Sequence, residues 1–326
     1  MDRRHFLQFA GAAALSSQIP FSFANSDTAL TVYGPPALPT LLTAVASQHQ
    51  AQGQSAIQQA FNVQTWRSPD MLRAGLANGS IQASIVPSYV AANLYNRGMK
   101  VKLVNILTWG LLDLVGPSGQ ISTLKDLEGR KVAIPMRNDM PDLVFQALCK
   151  AQGADISKID INYTGTPAES MLYWLGGKVE FAVLMEPLSS VALTRAGDKS
   201  VSRVINFTEL WRELNQGKSH GLPQAGLLVT QEFYDKHTQF VVQVQEELQH
   251  SLAWTLENPD TASEIGSKIL DLPAMPIKKA IPNANLTAIA ASEIKEDLKL
   301  FFQTLYELNP KILGGSLPKD DFILSL

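Results

Sequence analysis

The hydrophobic and polar positions of the chain alternate between two periods. Short β-prone runs are followed by a small or proline-containing turn and then by a helical pattern, as in Thr31–Gly34 before Leu38–Gln50, and Ala83–Pro87 before Ser88–Tyr95. This order is typical of βαβ units around a parallel sheet. The pattern therefore predicts an α/β fold.

Two breaks in this pattern predict the domain organisation. The turn-forming run Pro117-Ser118-Gly119 indicates a crossing into a second lobe, and Ala225–Thr230 reads as a strand that returns to the first lobe. After that strand the pattern is mainly helical. We therefore expect residues 28–116 and 223–326 to form lobe I, and residues 117–222 to form an inserted lobe II.

The first residues have the features of an export signal. Arg3 and Arg4 precede an apolar run from Phe6 to Leu15, and Ser22-Phe23-Ala24 offers small residues for a cleavage site. The apolar run is too short to span a bilayer. This segment resembles a twin-arginine signal peptide, residues 1–24, which the twin-arginine translocase would recognise. We expect cleavage after Ala24 and a periplasmic protein.

Composition excludes several classes of function. The 326 residues are 45% hydrophobic and 17% charged, enough apolar surface for a large core, and the net charge of -3 comes without any basic run suited to nucleic acid. The five histidines lie far apart, and Cys149 is a single cysteine in an apolar helical stretch. The sequence thus predicts no metal site, no cofactor and no disulfide.

The candidate ligand-binding residues are those that follow predicted strands. In open parallel sheets, ligands bind beyond the carboxyl ends of the strands. The candidates are Gly34, Pro35, Trp66, Arg67, Ser68, Ser88, Tyr89, Trp109, Arg137, Asn138, Asp139, Met140, Thr164, Thr166 and Glu186.

The polar candidates favour an anionic ligand. Helices that begin at Ser68-Pro69, Met140-Pro141 and Thr166-Pro167 would direct free backbone N–H groups and a positive dipole at the cleft. Arg67 and Arg137 are the arginines of these loops. Each either pairs with an anionic group or is a solvated loop charge.

The remaining candidates favour an organic ligand. Trp66, Tyr89 and Trp109 would suit a flat or apolar body, although aromatic residues at such positions also pack in cores. Glu186 either accepts hydrogen bonds from an amine or amidine, or complements the helix that begins at Pro187. The cleft thus suits an organic acid such as a sulfonate or aminosulfonate, and a pyrimidine stays open.

Two segments resemble a known family. Leu124–Pro135, continuing to Pro141, and Pro167–Pro187, with its order of helix, Gly-Lys, strand and Glu-Pro, resemble the nitrate, taurine and alkanesulfonate group of ABC-transporter solute-binding proteins, the NMT1/THI5-like family. The resemblance implies a type II periplasmic binding protein, with two α/β lobes that close over a small-molecule ligand. It also implies a monomer that delivers this ligand to an ABC permease with its ATPase.

Three other functions stay open beside this transport role. One branch of relatives makes a thiamine-precursor pyrimidine with a cysteine-rich iron motif, from which a chain with one cysteine departs, so periplasmic binding of such a pyrimidine is the alternative. An enzyme is not expected, because no G-x-S-x-G, H-E-x-x-H or glycine-rich phosphate loop occurs, and Glu169, a possible partner for Glu186, is explained by helix capping. A ligand sensor without a transporter is the third.

Overall fold

The computed structural model of the chain describes residues 29–326. The predicted signal peptide, residues 1–24, and residue 28 at the predicted start of lobe I therefore lie outside the described residues.

The described residues form two sheets. The strands are β1 (Leu30–Gly34), β2 (Phe61–Thr65), β3 (Ala83–Pro87), β4 (Val101–Leu103), β5 (Asn105–Thr108), β6 (Leu112–Pro117), β7 (Lys131–Pro135), β8 (Asp160–Thr164), β9 (Phe181–Met185), β10 (Val201–Asn206), β11 (Ala225–Thr230) and β12 (Leu286–Ala290). The first sheet has the order β12-β5-β11-β3-β1-β2, with β4 beside β11, and the second has the order β10-β6-β9-β7-β8.

Helices cover both sheets. They are α1 (Leu38–Ala51), α2 (Pro69–Asn78), α3 (Ser88–Asn96), α4 (Met140–Ala151), α5 (Pro167–Leu175), α6 (Leu188–Ala196), α7 (Phe207–Leu214), α8 (Gln231–Lys236), α9 (Thr238–Glu257), α10 (Pro259–Leu270), α11 (Ala274–Ala280) and α12 (Lys295–Leu308). In the described part of the chain, no helix combines the length and the apolar character needed to cross a membrane. The α/β class predicted from the sequence is confirmed.

Each sheet is mixed, whereas the sequence pattern predicted parallel sheets. Strands β1, β2 and β3 run parallel, as do β7, β8 and β9, but β11 is antiparallel to β3 and β6 is antiparallel to β9. The reason is the path of the chain between the sheets. A strand that starts where β3 or β9 ends must run against that strand.

The strand β6 corrects the predicted boundary between the lobes. The sequence placed residues 112–116 in lobe I, but Leu112–Pro117 pairs with β9 and β10 in the second sheet. The Pro117-Ser118-Gly119 turn is the end of β6, where Ser118 N donates to Ser200 O at 2.7 Å. We propose that the chain crosses at Gly110, whose φ is 125° and where a Cβ would lie 2.3 Å from Thr208 Oγ1.

The strand β12 was missed by the sequence pattern, which predicted mainly helix after residue 230. It lies at an edge of the first sheet and follows Asn285, which has a φ of 43°. Its pairing with β5 contains a register shift between Leu286 and Ile289. A short edge strand with an irregular register carries little alternation that a sequence pattern can detect.

The two lobes touch at several points. One core cluster joins Trp66 and Trp109 to Phe207 and Phe301, and helix α12 of the first lobe packs against α4 of the second. On another side α11 packs against α6, where Lys279 Nζ lies 3.1 Å from Thr194 Oγ1. The strand ends of the two sheets therefore face a shared space between the lobes.

Candidate functional site

The loops after β2, β3 and β7 line one cavity of about 530 Å³ between the lobes. The first sheet supplies the loops after β2 and β3, the second sheet supplies the turn after β7, and the C-terminal segment after α12 closes one side. The lining residues are Trp66, Pro69, Leu72, Arg73, Pro87, Tyr89, Val90, Asn93, Leu94, Arg97, Met136, Arg137, Asn138, Asp139, Asn309, Lys311 and Ile312.

The turn after β7 is built by two residues in the left-handed region. Met136 has a φ of 54° and Asn138 a φ of 63°, conformations that are uncommon for residues other than glycine. Asp142 Oδ2 accepts a hydrogen bond from Asn138 N at 2.8 Å, and Asp139 caps α4 by accepting from Met140 N at 2.7 Å. These bonds hold the side chains of residues 136–139 at the edge of the second sheet that faces lobe I.

The cavity carries an excess of positive charge. Four cationic side chains, those of Arg73, Arg97, Arg137 and Lys311, line it beside one carboxylate, Asp139. Within residues 29–326 only Arg73 among these cations has an ion-pair partner, Asp70 at 3.0 Å. Cations without partners around one concave site attract an anion.

Two aromatic rings form the apolar side of the cavity. Trp66 is 9% exposed, and its Nε1 donates to Ser84 Oγ at 3.1 Å, which fixes the plane of the indole. Tyr89 is half-buried at the start of α3. Burial and the neighbouring Asp139 carboxylate raise the pKa of Tyr89 well above its ordinary value, so its hydroxyl keeps its proton and stays a hydrogen-bond donor.

Arg137 is oriented by the second lobe. Its guanidinium lies over the Tyr163 ring at 4.9 Å, and the Tyr163 hydroxyl donates to Asp142 Oδ1 at 3.2 Å. Burial, followed by the charge of Asp142, raises the pKa of Tyr163 to about 12. The Tyr163 ring, whose hydroxyl stays protonated, therefore supports the Arg137 guanidinium, and the N–H groups of this guanidinium are available to a ligand.

The C-terminal segment ties the two sides of the cavity together. Asn309 Nδ2 donates to the carbonyl oxygen of Asn138 at 3.1 Å, which links lobe I to the turn after β7. Asn93 Nδ2 donates to the carbonyls of Lys311 and Ile312, so α3 holds this segment in place. Residues 309–312 could not be predicted from the sequence, because they follow no predicted strand and belong to no motif.

Of the residues expected to bind ligand, the structure brings five to this cavity: Trp66, Tyr89, Arg137, Asn138 and Asp139. Half of the cavity residues that the sequence did not single out lie on α2 and α3. Arg73 lies one helical turn beyond Pro69, a spacing that could have indicated it once the helix start was assigned.

Several residues that were expected to bind ligand instead form contacts within the protein. Gly34 packs against Thr40, whose hydroxyl donates to Pro35 O at 2.7 Å. The Ser88 hydroxyl donates to Pro223 O, and the Thr164 hydroxyl pairs with Ser170 Oγ at 2.6 Å. These residues do not line the cavity.

The expected helix starts are confirmed, but neither capping residue, Ser68 or Thr166, lines the cavity, although Pro69 does. Ser68 accepts from Met71 N and Thr166 accepts from Glu169 N, both at 3.2 Å, so each hydroxyl serves its own helix. Met140 is buried in the core, and Arg67 is exposed without lining the cavity.

Trp109 belongs to the crossing between the lobes and not to the cavity. Its indole stacks on the His220 ring at 5.2 Å, and its carbonyl oxygen accepts from Thr208 Oγ1 at 2.9 Å. His220 Nδ1 lies 2.9 Å from Asp297 Oδ2. The third ring expected at the ligand therefore packs where the chain returns to the first sheet.

Glu186 is sealed inside the second lobe. It is 1% exposed, forms an ion pair with Arg203, and accepts hydrogen bonds from the backbone N and the hydroxyl of Ser190. Both carboxylate oxygens are thus occupied, and the helix-terminus interpretation of Glu186 fits better than an open acceptor for a ligand amine. Burial raises the pKa of Glu186 above its ordinary value, against the lowering effect of Arg203.

A second buried acid, Asp113, completes this cluster. Arg203 Nε donates to Asp113 Oδ2 at 3.1 Å, and Asn206 Nδ2 donates to Oδ1 at 3.0 Å. Burial raises the pKa of Asp113 to about 7, despite the opposing charge of Arg203. One arginine therefore pairs with two buried carboxyl groups. Neither of the two segments that resembled the family contains Arg203 or Asp113.

Metal or thiol chemistry gains no support from the described residues. No group of three or more His, Cys, Asp or Glu side chains within residues 29–326 is placed to hold a metal ion. Cys149 is buried in α4, and this burial raises its pKa to about 12, so the thiol stays protonated.

Comparisons with known proteins give a family and a fold. The model of a family described as "NMT1/THI5 like" matches residues 82–262. An ABC transporter from Parabacteroides distasonis superposes with a TM-score of 0.77 at 23% identity, over 91% of this chain and 99% of that chain. The periplasmic aliphatic sulphonate binding protein SsuA from Escherichia coli gives 0.72 at 17% identity, over 91% and 92%.

A more distant structure has the same architecture. The alkanesulfonate-binding protein SsuA from Xanthomonas axonopodis pv. citri, bound to MOPS, gives a TM-score of 0.59 at 17% identity, over 90% of this chain and 96% of that chain. No curated protein matched the sequence. Two mixed α/β lobes around a cleft, shared with these proteins, are the type II periplasmic-binding-protein fold. Since the family model covers more than half of the chain, this protein belongs to the NMT1/THI5-like family.

Proposed function

We propose that this protein is the solute-binding component of an ABC importer, which captures a small organic anion between its lobes and delivers it to a permease. The observation that carries the proposal is the excess of cations in the cavity between the lobes, where Arg97, Arg137 and Lys311 have no ion-pair partner within residues 29–326. Each charge-assisted hydrogen bond to an anion is worth about 1.5–3 kcal/mol.

The aromatic rings narrow the class of anion. Trp66 and Tyr89 offer apolar surface beside the cations, so a bare inorganic ion would leave them without contacts. An anion with an organic body, such as a sulfonate or a carboxylate, uses both features. Two of the structurally similar proteins carry sulfonate binding in their names, which agrees with this choice.

Binding without catalysis is the function proposed, because no paired acid and base among residues 29–326 lines the cavity. Asp139, the one carboxylate that lines it, already caps α4. A pyrimidine ligand is the second candidate, since the rings of Trp66 and Tyr89 could hold a flat heterocycle.

Thermal unfolding with a panel of sulfonates, carboxylates, nitrate and pyrimidines tests the ligand class. The true ligand at a hundredfold excess over its Kd should stabilise the protein by about 2.7 kcal/mol, and scattering should show a more compact protein. Sodium chloride at equal ionic strength is the control for non-specific anion effects. Stabilisation by pyrimidines alone would favour the second candidate, and turnover of any compound would favour an enzyme.

Export and delivery are tested separately. We propose that the chain is exported as a monomer by the twin-arginine route and cleaved after Ala24, so the mature protein should begin at Asn25 in the periplasm. Replacing Arg3 and Arg4 by lysine should retain it inside the cell. Ligand-loaded protein should stimulate the ATPase of the cognate permease in proteoliposomes, whereas a sensor without a transporter would not.

A further inference from the structure

A second cavity of about 440 Å³ lies within lobe I, and it shares no lining residue with the cavity between the lobes. Helices α1, α9 and α10 and strand β2 surround it. Its lining residues are Ala44, Ser47, Gln48, His49, Ala51, Gln52, Asn62, Val63, Trp254, Thr261, Glu264, Ile265, Lys268 and Ile269.

A buried histidine of this cavity is held by a buried carboxylate. His49 Nδ1 lies 2.9 Å from Glu247 Oε1, and the two residues are 8% and 4% exposed. Ser251 Oγ donates to the same carboxylate oxygen at 3.3 Å. A carboxylate only accepts hydrogen bonds, so His49 Nδ1 carries a proton, and when the ring is neutral its Nε2 is an acceptor.

The acceptor nitrogen is available to a ligand. His49 Nε2 has no hydrogen-bond partner within residues 29–326, and it is not among their buried unpaired polar atoms, so it remains accessible. Trp254, another lining residue, stands at 88° to the His49 ring with 5.0 Å between the centroids. An oriented acceptor beside an indole is thus presented in a concave site.

The chemistry of the lining differs from that of the first cavity. Apart from the pair of His49 and Glu247, its charged residues are Glu264 and Lys268, one of each sign. The lining therefore has no excess of charge that would favour an anion or a cation as ligand. A contact needed only for packing α1 against α9 would be served as well by apolar side chains, because burying a carboxylate is costly. The hydrogen bond to Glu247 instead fixes the orientation of the His49 ring, which faces the cavity.

We propose that this cavity is a second binding site, for a small uncharged molecule that carries an O–H or N–H donor on a flat apolar body. The donor bonds to His49 Nε2, and the apolar body packs beside Trp254 and the aliphatic side chains of Val63, Ile265 and Ile269.

Nuclear magnetic resonance of the histidine ring nitrogens tests the site with phenol as the probe. Phenol should shift the His49 Nε2 resonance in a saturable way. Toluene, which has the same ring without the hydroxyl, should bind about fivefold more weakly, the effect of losing one hydrogen bond. Equal affinity for phenol and toluene, or no saturable shift, would overturn the proposal.

Variants separate this site from the cleft. For the variants, calorimetric titration measures binding, because His49→Phe has no His49 resonance. His49→Phe should weaken phenol about fivefold and leave toluene unchanged, as expected for one hydrogen bond. The unchanged toluene affinity of His49→Phe guards against misfolding of that variant. Ile265→Trp, which fills the cavity and keeps both His49 and Glu247, should abolish binding of both probes. Tyr89→Phe in the cleft should change neither. A loss caused by Tyr89→Phe, or phenol binding that survives Ile265→Trp, would place the probe elsewhere and refute the site.

Discussion

Arg137 and Glu186 are charged residues that occupy similar positions in the sequence but different environments in the structure. Each follows a strand of the second sheet, β7 for Arg137 and β9 for Glu186. Arg137 lines the cavity between the lobes and has no ion-pair partner within residues 29–326, whereas Glu186 is sealed by Arg203 and Ser190.

The difference comes from the strands beside them. Strand β9 is flanked by β6, which itself pairs with β10, and these strands bring Asp113 and Arg203 to the end of β9. Strand β7 ends in a left-handed turn, which carries Arg137 past the sheet edge toward lobe I. A position after a strand is therefore open to a ligand only where no neighbouring strand supplies a partner for its charge.

The largest effect is expected from Arg203→Met. This change leaves Asp113 and Glu186 buried without their cation, and breaking such a cluster costs about 3 kcal/mol or more. Urea unfolding measures the loss. The exposed Arg67→Met is the matched control and should stay within about 0.5 kcal/mol of the parent. Similar values for both variants would show that the cluster does not stabilise the lobe.

The pH dependence of stability should separate the two regions next. Because burial raises the pKa of Asp113 from 3.8 to about 7, the folded protein holds a proton that the unfolded chain releases in this window. Stability contributed by Asp113 should therefore fall as pH rises from about 4 to 7, by at most about 1.4 kcal/mol per pH unit.

Unfolding free energies of Asp113→Asn at pH 4, 5.5 and 7 test this expectation. The variant should lose the part of the downward slope that Asp113 contributes, because its side chain does not titrate, whereas the part from Glu186, whose pKa burial also raises, should remain. Asp198→Asn is the control, because hydrogen bonds from Ser200 lower the pKa of the exposed Asp198, which puts its titration below this window. A parent and an Asp113 variant with equal slopes would contradict the assignment.

A smaller effect, on affinity alone, is expected in the cavity. Arg137→Gln should weaken the most stabilising anion of the panel about tenfold, or about 1.4 kcal/mol, without lowering stability comparably to the Arg203 variant. Arg67→Gln, at a residue that does not line the cavity, should leave affinity unchanged. Calorimetric titration distinguishes them, and equal losses would mean that general charge, and not the cavity, attracts the anion.

The smallest effect is expected where the lobes are linked. Asn309→Ser keeps an oxygen near Lys311 N but is too short to reach Asn138 O, so one net hydrogen bond between the lobes is lost. Affinity should fall about two- to fivefold. Asn283→Ser, which loses only a local bond to Lys279 O, is the control. If ligand-induced compaction and affinity are the same in both, this bond does not contribute to closure.

The sequence by itself determined the local elements of this protein. The periodic patterns identified β3 and β11 with the bounds that the structure has, and Ser68 and Thr166 do cap the helices that they were expected to begin. These features depend on residues close in the chain, so propensity and turn chemistry suffice to predict them. The segments that resembled the solute-binding family likewise indicated a family that the comparison confirmed.

Only the tertiary structure decided which strand ends stay open. Pairing across the chain placed β6 in the second sheet, brought Arg203 to Glu186, and folded Asn309 and Lys311 over the cavity. Glu186 and Arg137 could not be told apart in the sequence, because Arg203, which neutralises Glu186, lies 17 residues away on β10, a strand that does not pair with β9. Pairing between strands decides which charged side chains are buried and which line the cavity, and local sequence patterns do not predict this pairing.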